Sequence, residues 1–224
     1  MLRKKKRLIV LTGVDGSGKT TLIKRVSSQL QQQDVRLQIV WCGFRPFLTL
    51  PIIRIAKLIM LRRHDKFADY KGHREARNRG MKRAKFANGV LLFILMLDYY
   101  PVIFVRVIIP VLMGRTVICD RYYFDILLYY SVITNQKTEY LSELVQKLSF
   151  LFPNPELCFF IKITPEEAIR RKEDVPSTEY IAERIMYYEQ MLKVVDCRCL
   201  DGEESVDNNT NKIISEINRA DNHE

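Results

Sequence analysis

The sequence predicts an α/β fold, a five-stranded parallel sheet with helices on both faces. Three observations carry that prediction. Five short apolar runs alternate with segments of helical periodicity along the chain. The first run leads into Gly13-Val14-Asp15-Gly16-Ser17-Gly18-Lys19-Thr20, which fits G-x-x-x-x-G-K-[ST]. An apolar content of 47% over 224 residues is ample for a core on both sides of such a sheet.

Leu8-Ile9-Val10-Leu11 is the first strand, apolar throughout as a buried parallel strand requires. The glycine-rich loop after it is a phosphate cradle, because its N–H groups and the following helix N-terminus face an anion. In that pattern Lys19 reaches the β- and γ-phosphates, and the Thr20 hydroxyl ligates Mg²⁺. Leu22, Ile23, Val26 and Leu30 then share one face of a helix. The motif thus predicts binding of a nucleoside triphosphate.

Leu37 to Trp41 reads as the second strand, ending in Cys42-Gly43-Phe44-Arg45-Pro46 at a carboxyl end, where α/β sheets place ligands. Arg45 is there either an anion binder or a plain surface arginine. Residues 47 to 88 read as a basic helical insertion. Between Arg54 and Lys85, twelve Lys or Arg face three acidic residues, a local +9 of the formal +10. Elsewhere the 24 basic and 23 acidic residues nearly cancel. Segment 54–85 is either a solvated helical stretch or a surface for an anionic partner, with no specific nucleic-acid signature.

Val90 to Met113 is strongly apolar but holds Asp98, Pro101, Arg106 and Pro110. It reads as a long buried helix bent or broken at Pro101, the alternative being an interfacial or dimer-forming face. Thr116 to Cys119 is the third strand and runs into Asp120-Arg121-Tyr122. An aspartate closing a strand beside a phosphate loop suits a second Mg²⁺ position. Leu141, Leu144, Val145 and Leu148 share a helix face behind a Thr138 cap.

Leu157 to Ile161 is the fourth strand. Thr164-Pro165-Glu166-Glu167 starts a helix with Thr as cap, Pro in its first position and Glu three after the cap. Arg170-Arg171-Lys172 near the break at Pro176 is a solvated end or, over about 170–177, a short lid closing on phosphates. A helix with Ile181, Ile185, Tyr188, Leu192 and Val195 on one face follows. Arg198 to Leu200 is the fifth strand, turned by Asp201-Gly202, and a last helix carries Ile213 and Ile217.

No secretory signal opens the chain, and the five cysteines form no metal-type pair. Reduced, mostly buried thiols in a cytoplasmic protein are the expectation.

Taken together these segments resemble the thymidylate kinases among the P-loop nucleoside monophosphate kinases. Gly13 to Thr21 is similar to that family's G-x-[DE]-G-[SA]-G-K-[ST]-T, and Asp120-Arg121-Tyr122 to its D-R-Y. Pro153 to Ala168 resembles its strand and P-E-E-A segment, and Leu200-Asp201-Gly202 its adenine-cradling turn. The resemblance covers residues 7–45 and about 89–219. It implies one P-loop kinase domain over 1–224, a three-layer sandwich of the P-loop NTPase type, commonly a homodimer.

The implied activity is transfer of the γ-phosphoryl group of ATP, with Mg²⁺, to a nucleoside monophosphate, dTMP being the first guess. By resemblance Gly13, Asp15, Gly16, Ser17, Gly18, Lys19, Thr20 and Thr21 hold ATP, and Thr20 and Asp120 the metal. Asp15 lies beside the acceptor's sugar, and Arg45, Phe93, Arg121 and Tyr122 bind the acceptor. Lys19, Asp15, Arg121 and the lid arginines Arg170 and Arg171 are the catalytic set, cations that absorb charge on the transferred group. The chain departs from the family pattern after Asp120-Arg121-Tyr122, where Asp125 replaces the Ser. No Arg follows Phe93 within Ile94 to Leu97 to read a base edge. Two alternatives therefore stand beside dTMP: another small acceptor, or a low-turnover nucleotide-binding regulator at a membrane surface.

Overall fold

A computed structural model describes residues 7–33, 35–43, 85–172 and 176–222. Arg45, nearly all of the basic insertion and the centre of the 170–177 segment lie outside these residues.

Strands β1 (Arg7–Thr12), β2 (Leu37–Trp41), β3 (Thr116–Asp120), β4 (Leu157–Lys162) and β5 (Arg198–Asp201) form one parallel sheet in the order β2-β3-β1-β4-β5. The helices are α1 (Lys19–Gln32), α2 (Lys85–Ile103), α3 (Ile109–Leu112), α4 (Tyr123–Ile133), α5 (Thr138–Leu148), α6 (Pro165–Arg171), α7 (Thr178–Met191) and α8 (Val206–Asn222). Alternate strand residues feed two separate cores, as a pleated sheet covered on both sides demands. Leu8, Val10, Val117, Cys119 and Phe160 pack with residues of α2, α4, α5 and α7. Ile9, Leu11, Ile118, Phe159 and Ile161 pack with residues of α1 and α8. The three-layer α/β architecture expected from the sequence is present.

The sheet order places the site. β1 is central, and its register pairs Leu11 with Asp120 of β3 and Thr12 with Phe160 of β4. The loop leaving β1 therefore emerges between the ends of β3 and β4, where their following turns converge on it.

Four local expectations are corrected. The apolar segment is not broken at Pro101, which sits inside α2. A π-helical turn over Phe104–Ile108, closed by the Ile109 N–H donating to the Phe104 carbonyl, joins α2 to α3. The missing proline donor is thus followed by one residue of slack rather than a break. Nor is this helix mainly buried: over Asn88–Leu112 only 22% of the most apolar window is buried. One face carries Leu95, Tyr99, Ile103 and Val107 into the core, and the opposite face remains apolar and exposed.

Thr138 does not cap α5. It is the first helical residue behind Lys137, so its hydroxyl is too far along the chain to serve the first turn. At α6, Thr164 and Pro165 occupy the expected cap and first positions, but Glu167 does not reach back to the cap. Its carboxylate instead accepts from Arg170 Nε at 2.6 Å and Arg171 Nε at 2.6 Å.

The cysteines also differ from expectation. Cys158 and Cys197 form a disulfide, while Cys42 and Cys119 are buried thiols and Cys199 is an exposed one. The pairing of Phe159 with Arg198 sets Cys158 and Cys197 side by side, 39 residues apart in sequence. Neighbouring parallel strands bring such residues within bridging distance without any sequence spacing that announces it.

A candidate phosphoryl-transfer site

The loop from Gly13 to Gly18 is shaped by its glycines. Gly16 has φ +83°, and a Cβ there would stand 2.3 Å from the Ala168 carbonyl oxygen of α6. Only a residue without a side chain fits both the left-handed backbone and that approach. Gly18, φ +93°, caps α1 with no side chain over the first N–H groups. A helix N-terminus left open in this way is an anion seat.

Lys19, almost wholly buried, folds back over this loop. Its Nζ donates to the Gly13 carbonyl at 2.9 Å, the Val14 carbonyl at 2.6 Å and Ser17 Oγ at 3.2 Å. Burial, seconded by the nearby Arg121 charge, pushes its ammonium down to about 7, although Asp15, Asp120 and Asp125 pull the other way.

At the end of β3, Arg121 adopts φ +72°, a left-handed backbone unusual for a side chain of that size and costing about 1–2 kcal/mol. Two neighbours hold it there. Its N–H donates to the Leu11 carbonyl at 2.9 Å, and the next residue, Tyr122, is anchored in the core. The Tyr122 hydroxyl donates to the Pro153 carbonyl at 2.9 Å, and its ring lies edge-on to Tyr123 and Phe124. The guanidinium consequently points at the loop. Its Nη2 donates to Asp15 Oδ1 at 2.6 Å, and its Nη1 to the Gly13 carbonyl and the Tyr188 hydroxyl, both at 3.2 Å.

Asp125, on the first turn of α4, collects these groups. Its Oδ2 accepts from the Tyr122 N–H at 2.7 Å, and its Oδ1 from Thr12 Oγ1 at 2.8 Å and Tyr188 Oη at 2.5 Å. Arg121 Nη1 approaches the same Oδ1 at 3.4 Å. Burial alone would lower the Arg121 guanidinium, but Tyr188, Asp125 and Asp15 outweigh it and hold the charge firmly. For Asp15 burial would raise the carboxyl, yet Arg121 and Lys19 together leave it lowered. Both partners are thus charged at neutral pH.

Asp120 fits a divalent cation. Thr20 Oγ1 donates to its Oδ2 at 3.3 Å, while its buried Oδ1 has no hydrogen-bond partner. Burial raises its carboxyl, only partly offset by Lys19 and Arg121. A buried carboxylate oxygen beside a hydroxyl, short of positive charge, is the donor set Mg²⁺ takes. Thr20 and Asp120 would hold that ion, which would supply neutralisation of phosphate charge.

These groups open on a cavity of about 820 Å³. Its lining includes Asp15, Gly16, Gly18, Lys19, Thr20, Thr21, Asp120 and Arg121, so the structure brings most of the sequence-derived residues together. Gly13 and Ser17 stand behind the loop as partners of Lys19. Arg171 joins the lining, its Nη1 donating to the Gly202 carbonyl at 2.7 Å. Arg170 does not: it is turned to solvent and held by Glu167 through both Nε and Nη2. Phe93 and Tyr122 are also outside the lining, Phe93 because it lies 67% exposed on the outer face of α2, Tyr122 because its ring is in the core. Arg45 falls outside the described residues.

Lys172, one of the three cations of the expected lid, is in the lining too, whereas sequence reading missed Asp125, Tyr188, Trp41, Tyr180 and Arg184, all of them lining residues. Arg184 sits 3.3 Å over the Tyr180 ring and donates to the Tyr180 carbonyl at 3.1 Å. Tyr188 was legible only as a core residue of α7, because its helical spacing describes the stem and not the hydroxyl. Asp125 was visible as a departure from a motif without a role attached.

The family model described as thymidylate kinase matches residues 74–218, well over half of the chain. The match starts after the phosphate loop and takes in part of the segment for which the sequence showed no counterpart. No curated protein matches the chain.

Proposed function

The chain belongs to the thymidylate kinase family, and from that premise we propose that it moves the γ-phosphoryl group of ATP to a nucleoside monophosphate, dTMP being the acceptor to try first. The observation that carries the reading is the convergence of Lys19, Arg121 and Arg171 on one cavity that Asp120 and Thr20 also line. Two anionic phosphates repel each other, and fixed cations in a partly buried site both screen that repulsion and stabilise charge on the group in transit.

Each residue has a part that its own geometry supports. The loop N–H groups and Lys19 grip the triphosphate. Arg121 spans from that loop to the acceptor side, and Asp15 aims it. Arg171, tied to the Gly202 carbonyl, joins α6 to the turn after β5. Asp125 orients Arg121 and Tyr188. Thr20 and Asp120 position Mg²⁺.

A different acceptor is favoured by one specific observation. Phe93 is exposed and outside the cavity lining, whereas Arg184, stacked over the Tyr180 ring, is on it. Changing a base-edge partner alters preference by orders of magnitude. The test is ATP consumption with Mg²⁺ against dTMP, dUMP, the other nucleoside monophosphates and thymidine, with Lys19→Ala as control. Turnover with one monophosphate, lost in Lys19→Ala, is the expected result and names the acceptor. Turnover undiminished in that variant, or no turnover with any monophosphate, overturns the reading.

A further inference from the structure

One carboxylate governs both arginines at the end of α6. Glu167, Arg170 and Arg171 stand at i, i+3 and i+4, so their side chains share one face of the helix. Arg170 commits its side-on fork to that carboxylate: Nε donates to Oε2 at 2.6 Å and Nη2 to Oε1 at 2.7 Å. Arg171 gives Glu167 only its Nε, to Oε1 at 2.6 Å, and its Nη1 reaches the Gly202 carbonyl at 2.7 Å. Exposure follows the same division, the side chains of Arg170, Arg171 and Glu167 being 77%, 34% and 14% exposed. The hydrogen bonds from Arg170 and then Arg171 hold the Glu167 carboxyl down to about 2, so it is charged at any pH near neutral.

The helix beneath this carboxylate is fixed at three points. At its start Thr164 Oγ1 donates to Glu203 Oε1 at 2.8 Å. Midway, the Ala168 backbone lies so close to Gly16 that no Cβ fits between them. At its end Arg171 holds the Gly202 carbonyl. α6 is therefore wedged between the phosphate loop and the turn after β5, and that packing sets where Glu167 stands relative to the loop.

An ion pair one turn apart on a helix surface adds little to stability. What this one supplies is direction. Arg170, Arg171 and Lys172 are consecutive cations, and Lys172 lines the cavity together with Lys19, Arg121 and Arg184. Without a counter-charge the two guanidinium groups repel each other, and each explores many orientations. Gly202 gives Arg171 its place, while Glu167 behind Nε leaves the terminal nitrogens in one orientation and restrains Arg170 from competing.

We propose that Glu167 is a positioning residue for phosphoryl transfer: it backs Arg171 at Nε, so that the terminal nitrogens meet the phosphates, and it withholds Arg170. The proposal rests on the phosphoryl-transfer reading above. Glu167 is not among the lining residues and acts through Arg171.

The experiment uses the full chain and two readouts. The first is modification by phenylglyoxal, which adds to guanidinium groups, each arginine being located by peptide mass spectrometry. Bound MgATP should slow the reaction of Arg171 at least about fivefold and change that of Arg170 less than about twofold. In E167Q that difference should vanish, the two arginines being protected alike or not at all. The second readout is steady-state transfer to the monophosphate that the acceptor panel identifies. E167Q and E167D should each lower kcat about 10–100-fold with KM changed less than about threefold, because Asp keeps the charge but is too short to back Arg171. E166Q, an exposed neighbour on the same helix, should change neither readout. Protection of both arginines alike in the unaltered chain overturns the proposal. So does a kcat unchanged in E167Q, or a loss confined to KM. If no monophosphate is turned over, the transfer reading fails, and protection of Arg171 alone, kept or lost in E167Q, still decides the part assigned to Glu167: lost supports it, kept overturns it.

Discussion

Arg121 Nη2 and Asp15 Oδ1 meet at 2.6 Å across 106 residues of chain, joining the end of β3 to the phosphate loop. The Arg121 side chain is 20% exposed and that of Asp15 37%, so the pair is neither fully dry nor freely hydrated. Its value lies in direction. A long, flexible cation is held aimed at the place where phosphates would meet, before any substrate arrives.

From this pair a mutant pattern follows. Arg121→Lys keeps the charge but loses the fork that serves Asp15, Tyr188 and the Gly13 carbonyl together. We expect kcat to fall about 10²–10³-fold, with ATP affinity changed much less, in steady-state assays. Asp15→Asn keeps the shape and removes the aiming charge, so a smaller loss is expected. Equal losses in the two variants would assign Asp15 a contact with substrate beyond its grip on Arg121.

Lys19 gives the pH dependence. In the free protein its ammonium is lowered to about 7 by burial, then by Arg121, whereas an unfolded lysine titrates at 10.5. Between those values the unfolded chain binds the additional proton, so this group's penalty on folding shrinks as pH rises from about 7 to 10.5. Nucleotide binding runs the other way. A triphosphate beside Nζ restores the charged form, so binding above pH 7 takes up a proton and weakens with rising pH by up to about tenfold per unit. Calorimetry at pH 8.5 in two buffers of different ionisation enthalpy should detect uptake approaching one proton, absent in Lys19→Met. Zero uptake in the unaltered protein would mean that Lys19 is already charged in the free site.

The Cys158–Cys197 bridge closes a loop with a sequence separation of 39. A loop of that order contributes about 2–4 kcal/mol. Reduction, or the Cys158→Ala/Cys197→Ala pair, should lower Tm by about 5–10 °C in scanning calorimetry. Peptide mapping without reductant should recover the two cysteines linked. Recovery of Cys199 in the bridge instead would place the oxidation on the exposed strand partner.

The strands and most helices were legible because periodicity is local. Ile9 and Leu11 against Leu8 and Val10 already announce a strand buried on both sides, and Lys19 and Thr20 announce a phosphate loop. Asp120 was legible because a strand that ends in an acid beside such a loop has few other uses. Phe93 shows the limit. Its residue type suited a base pocket, but which face of a long apolar helix turns inward depends on the sheet it packs against. Leu95, Tyr99 and Ile103 took that place. Arg170 and Arg171 are adjacent and chemically alike, and only the position of Gly202 decides that Arg171 turns in.

The sequence by itself determined the class of fold, the phosphate cradle and the presence of an acid at the end of β3, since each rests on residues within one strand–turn–helix unit. The tertiary structure decided what reaches that cradle. Asp125 and Tyr188 are 63 residues apart and share one hydrogen bond at 2.5 Å, and Cys158 meets Cys197 only through strand register. Such contacts follow from the order of strands in the sheet, and strand order is set by how both faces can be buried at once, a property of the whole chain rather than of any segment.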